Sequence, residues 1–139
     1  MNEKVLKFTS QMKKRSGVLF SELKKIESEL GFNFPKEYAD FLLESNGAEG
    51  AIGQAYLVLW SLEKIKPLNQ KNEVERHAPH LIIFGSDGGD MAFAFDKHLI
   101  SLPIVEIAFI DIGLEEPKML SQTFSEFLEY MYTKWQDLP

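Results

Sequence analysis

The chain has 139 residues, 45% hydrophobic and 26% charged, which is enough for one domain with a real core and argues against a disordered segment. It contains no Cys, which excludes a disulfide framework, thiolate metal sites and cysteine nucleophiles. The net charge of −6 is unevenly divided: residues 1–25 hold seven Lys/Arg against two Glu, and the rest holds eight against nineteen Asp/Glu.

Residues 1–17, with Lys4, Lys7, Lys13, Lys14 and Arg15, read as a basic N-terminal extension or helix. A solvated helix face explains these charges better than a nucleic-acid arm. Residues 18–139 then form a single domain. No apolar signal core follows the basic start, and the runs AYLVLW, LIIF and IAFIDI are too short to cross a bilayer. A soluble cytoplasmic protein without a membrane partner is expected.

The first strong pattern is IESELGFNFPKEYADFLLESNG. Ser21 is the expected cap of a first helix whose Leu23, Ile26 and Leu30 recur at helical spacing. Gly31 supplies the permissive backbone just past its end. Pro35 suits the first turn of a second helix, where a missing N–H costs nothing. Tyr38, Phe41 and Leu42 form its apolar face, and Asn46-Gly47 is expected to stop it with left-handed conformers.

The period then changes. AYLVLWSL (55–62) reads as a strand buried on both faces, and Glu63 to His80 as irregular with at most one short helical turn, Pro67, Asn69, Asn72 and Pro79 being breakers. LIIF (81–84), the glycine-rich GSDGGD and MAFAFD (91–96) read as a β-hairpin, followed by a strand over 103–111. Thr123 and Glu126 form a capping box for a last helix, with Phe124, Phe127, Leu128, Met131 and Trp135 on one stripe. The class is α+β, with N-terminal helices and a C-terminal helix packed on a mostly antiparallel sheet. Leu23, Ile26, Tyr38, Phe41, Leu42, Trp60, Ile83, Phe93, Phe127 and Leu128 form the expected core.

Reactive constellations are scarce. GSDGGD lacks the Gly-Lys-Ser/Thr ending of a phosphate loop and the spacing of a dinucleotide fold. Asp87, Asp90 and Asp96 are candidate oxygen ligands for calcium or magnesium, but the alternation of a dedicated calcium loop is missing. Gly and Asp are also what a tight hairpin connection requires, and the structural turn is the preferred reading. His77 and His80 bracket Ala78-Pro79, which disfavours a shared helix face, and they read as surface residues flanking a strand. His98 lies in a turn. No nucleophile elbow is present. No catalytic residue, cofactor or metal is assigned.

The order and spacing of these motifs resemble the SUKH superfamily, the Smi/Knr-like domain. The resemblance rests on an acidic helix, Phe34-Pro35-x-x-Tyr38-x-x-Phe41-Leu42 and Asn46-Gly47. It extends to Tyr56–Leu62 with Trp60, LIIFGSDGGDMAFAFD and Thr-Phe-Ser-Glu-Phe-Leu, covering about residues 18–132. Asp90 stands where members often carry a third glycine. The resemblance implies an immunity protein that neutralises a cognate polymorphic toxin by direct contact, often a nuclease or deaminase; eukaryotic relatives act in cell-wall regulation. The acidic body agrees, since it repels nucleic acid and draws in basic partners. Glu49, Asp87 and Asp90, near loop ends, are the candidate partner-binding residues. The alternatives are a general interaction or regulatory module, or a metal-dependent enzyme built on the 85–90 turn.

Overall fold

The α+β class expected from the residue pattern is what the computed structural model shows over its described residues, 2–136. The expected domain end at residue 139 lies outside them. In chain order the elements are α1 (Glu3–Phe8), β1 (Lys13–Lys14), α2 (Phe20–Leu30), α3 (Lys36–Glu44), β2 (Ala48–Ile52) and β3 (Ala55–Leu59). There follow α4 (Leu62–Lys71), α5 (Val74–His77), β4 (Leu81–Ser86), β5 (Met91–Asp96), β6 (Ile104–Ala108), a 3-10 turn (Phe109–Asp111), β7 (Lys118–Ser121) and α6 (Phe124–Thr133). The strands form one sheet in sequence order, each antiparallel to its neighbour. Among the described residues, no helix is long and apolar enough to cross a membrane.

The helical hairpin is fixed by one buried carboxylate. Glu27 sits on the inner face of α2, where its Oε2 accepts the Phe34 N–H at 2.8 Å and the Lys24 ammonium lies 3.1 Å from Oε1. That bond ties the body of α2 to the entry of α3. Gly31 (φ +63°) closes α2 as expected. The start of α2 differs from expectation: Leu19 is its N-cap, and the Leu19 N–H donates to Glu22 Oε1 at 2.9 Å, so Ser21 lies inside the first turn without capping. Pro35 is the N-cap of α3, one position before the first turn.

α3 ends where Ser45 turns extended, and only Gly47 (φ +80°) of the Asn-Gly pair is left-handed. A Cβ on Gly47 would lie 2.6 Å from the Leu59 carbonyl oxygen, so the position excludes a side chain by space as well as by φ. Asn46 has a different task. Its Oδ1 accepts the Leu62 N–H at 2.7 Å, serving one free N–H of α4 from across the chain, and its amide donates to Glu63 Oε2 at 2.9 Å.

The stretch expected to be irregular is therefore helical. Pro67 sits inside α4 and removes one backbone bond. Asn69 compensates: its amide donates to the Ile65 and Ile83 carbonyls, and its Oδ1 accepts the Ile83 N–H at 2.9 Å, fastening α4 to β4. Burial of Leu62 and Ile65 supplies the remaining hold.

The main core is aromatic. The Tyr38 ring lies 5.2–5.3 Å from those of Phe34, Phe84, Phe95 and Phe124, all in edge-on arrangements, and Phe84 stacks on Phe95 at 4.4 Å. Phe127 packs edge-on against Phe84 and Phe93. Complete burial pushes the Tyr38 phenol far above its ordinary pKa, and its hydroxyl has no hydrogen-bond partner among the described residues. A smaller cluster on the opposite sheet face joins Ile83, Ala92, Ala94, Val105 and Ile107 to Val74, Ala78 and Ile112. β4 and β5 are thus covered on both sides. β3 is not: its exposure alternates, against the two-sided burial expected, and the strand stops at Leu59.

Other expectations shift for similar reasons. Ile26 and Trp60 are only half-buried. The strand expected over 103–111 ends at Ala108, and its last three residues form the 3-10 turn. The Thr123 cap is formed, its hydroxyl accepting the Glu126 N–H at 3.2 Å, but α6 ends at Thr133 and Trp135 is exposed. Strands β1, β2 and β7 are additions, and α1 buries Val5 and Phe8 in the main core.

Phe41→Ala and Phe127→Ala should each cost about 3–5 kcal/mol in denaturant unfolding, and Tyr38→Phe less than about 1 kcal/mol, because its hydroxyl is not holding anything. A cost below about 1 kcal/mol for either Phe substitution would contradict this packing. Glu63 gives a pH signature. Hydrogen bonding from Asn46 holds its carboxyl below the ordinary value of 4.5, so its stabilisation is present above that value and lost as pH falls through the lowered one. Glu63→Gln should be less stable than the parent near neutrality and lose that difference on acidification, as read by melting curves across pH.

Candidate functional site

Antiparallel register brings the candidate residues of the first strands onto one surface. Glu49 pairs with Val58, Val58 with Ser86, and Ala51 with Tyr56, so these side chains share the sheet face away from α6. Helix α5, through Val74, with Ala78 and Ile112, covers that face only toward β4–β6 and leaves β1–β3 open, while the buried Leu62 and Ile65 of α4 join the main core. Tyr56 Oη donates to Glu49 Oε2 at 2.6 Å, which favours the neutral phenol and raises the Tyr56 pKa; slight desolvation and the Glu49 charge act the same way. The Tyr56 ring also reaches the glycine-rich turn, since a Cβ on Gly88 would meet its Cδ2 at 3.0 Å.

The open face holds a depression of about 500 Å³ lined by Lys13, Arg15, Glu49, Tyr56, Trp60 and Lys64, among others. Lys13 is the register partner of Glu49. The floor is therefore mixed in charge, with aromatic surface between cations and a carboxylate. Among the described residues Glu49 does not stand as an isolated anion.

The 85–90 turn is built from its own side chains. Asp87 Oδ1 accepts the Gly89 N–H at 2.8 Å and the Met91 N–H at 3.2 Å, Ser86 Oγ accepts the Gly88 N–H at 3.1 Å, and Gly88 takes φ +84°. Asp87 is thereby committed to the turn. Asp90 is exposed, and its carbonyl accepts the Phe109 N–H at 2.9 Å. Asp96 lies at the other end of β5, roughly 20 Å along the strand, so the Asp87–Asp90–Asp96 arrangement weighed from sequence is not formed.

Asp96 instead meets two histidines. His80 precedes β4, His98 follows β5, and their rings stack at 4.2 Å with planes 12° apart. Asp96 Oδ1 accepts the His98 N–H at 2.9 Å and lies 3.6 Å from its Nδ1. His77, which Ala78-Pro79 was expected to keep off a shared helix face with His80, is turned toward Glu73, with 3.4 Å between Nε2 and Oε2. The hairpin gives only an indirect signal for the His80–His98 contact: pairing of Leu81 with Asp96 sets His80 opposite Lys97, and the turn after β5 brings His98 back over His80.

A family model described as the SMI1 / KNR4 family (SUKH-1) matches residues 17–130. No curated protein matches the chain.

The Glu49–Tyr56 bond should be visible by titration. Besides the buried Tyr38, absorbance monitoring of phenolate formation should show one tyrosine ionising above its ordinary value of 10.0, and Glu49→Gln should bring that transition back down. An unchanged alkaline titration in Glu49→Gln would show that the pair is not held in solution.

Proposed function

The chain belongs to the SMI1 / KNR4 family (SUKH-1), and on that premise we propose that it is a non-enzymatic immunity protein. It binds a cognate polymorphic toxin in the cytoplasm and neutralises it by occupying its working surface, a cationic nuclease groove being the favoured target. The observation that carries this reading is the open face of β1–β3. It is a concave, rigidly backed surface on which Glu49, Tyr56 and Trp60 adjoin the exposed 85–90 turn. The faces of β4 and β5 are closed by helices or the second core cluster.

The proposed roles differ by residue. Asp90 and Glu49 present carboxylates to the partner, with Tyr56 and Trp60 supplying amphipathic contact area of the kind that dominates binding energy. Asp87 shapes the loop that displays Asp90. The acidic body steers a basic toxin into register, which affects the association rate more than the strength of the final complex. Nucleic acid and membrane are not partners in this scheme.

Calorimetry with the product of the adjacent gene tests it. Affinity on the order of nanomolar is expected, with association slowed by salt. Glu49→Lys and Asp90→Lys should each weaken binding by at least about tenfold, and Asp90→Lys, at an exposed side chain, should leave the melting temperature unchanged. Wild-type affinity in both variants would move the interface elsewhere. Absence of binding by any neighbouring product would replace the immunity reading with a general interaction module. Asp87→Lys is a poor probe, because it removes the two turn bonds as well as the charge.

A further inference from the structure

The base of the β4–β5 hairpin, opposite the glycine-rich turn, carries a second constellation that the proposed toxin-binding role does not use. One ligand atom each from His80, Asp96 and His98 lie within 4.8 Å of one another. Two come from the ends of adjacent strands and one from the following turn, and the hairpin closes between them: the Lys97 N–H donates to the His80 carbonyl at 2.6 Å. Their backbones are thus held in fixed register. His80 and Asp96 are half-buried, and His98 is exposed and free to turn.

We propose that His80, Asp96 and His98 form a binding site for a divalent transition-metal ion of the zinc class. Two imidazoles and one carboxylate are a donor set suited to zinc. Tetrahedral coordination at about 2.0–2.1 Å places ligand atoms roughly 3.3 Å apart, so no pair of donors must close by more than about 1.5 Å. Rotation of the exposed His98 ring out of its stack on His80 supplies that movement between ordinary rotamers. The remaining positions on the ion face the depression lined by His77, Glu115 and Glu116. Glu73 faces His77, and Lys97 lines the neighbouring cavity on the other side of the hairpin. Two carboxylates on the same depression favour a cation there. The bound ion would join the start of β4 to the turn after β5 and clamp the open end of the hairpin. This inference is independent of the toxin-binding reading.

Titration calorimetry of the full chain with zinc chloride, magnesium chloride and calcium chloride tests it. One zinc per chain, with a dissociation constant on the order of micromolar or tighter, is expected, and no heat from magnesium or calcium, which prefer all-oxygen sites. His80→Ala and His98→Ala should each weaken zinc binding by at least about tenfold, and His77→Ala should leave it unchanged. Zinc should also raise the melting temperature of the parent chain but not of His98→Ala, whose exposed ring is dispensable for folding. Absence of zinc heat, unchanged binding in His98→Ala, or magnesium binding as tightly as zinc would each overturn the proposal.

Discussion

The structure depends on how Tyr38 is enclosed. Its ring is the point where the helical hairpin, the sheet and the final helix meet: Phe34 comes from the entry to α3, Phe84 and Phe95 from the two central strands, and Phe124 from α6. Edge-on aromatic contacts are directional, so the cluster fixes orientation as well as burying area. Each of these elements is short, and an isolated helix of nine or ten residues is marginal in water. The elements hold because they converge on the same group of rings.

That convergence explains the shape of the exterior. Because the aromatic cluster draws α1, α2, α3, α4 and α6 into one core, the other sheet face is left to α5 and a few small or branched residues. Ala92 and Ala94 on β5 let that second layer approach closely. The layer is too small to reach β1–β3, and the uncovered area becomes the mixed-charge depression beside the glycine-rich turn. Interior residues set the shape of that surface, and its charge comes from Lys13, Arg15, Glu49 and Lys64.

Much of the fold was legible because its signals are local. Gly31, the Thr123 cap and the hairpin around GSDGGD each act within a few residues, and the apolar spacing of α3 and α6 names its own buried face. What escaped the sequence depends on distant partners. Pro67 and Asn69 read as breakers until Asn69 is seen bonding Ile83, fourteen residues away. β2 is hidden in Ala-Glu-Gly-Ala-Ile, whose alternation is weak and whose pairing is supplied by β1 and β3. Asn46 looked like a left-handed stop, yet its amide serves α4. The histidine cluster shows the same limit: His80 and His98 are eighteen apart in sequence and meet only through strand register. Of the proposed partner residues, the sequence marked Asp87 as exposed acid but could not show that its oxygen is occupied by two backbone N–H groups.

The central claim is a division of labour between an aromatic interior that shapes and an open sheet face that recognises. Hydrogen–deuterium exchange of the chain, alone and with the product of its neighbouring gene, tests this most directly. Slowed exchange on complex formation should concentrate in residues 48–58 and 86–91, with α2 and α3 unchanged. Protection centred on α2 and α3, with none on β2, β3 or the turn, would contradict it.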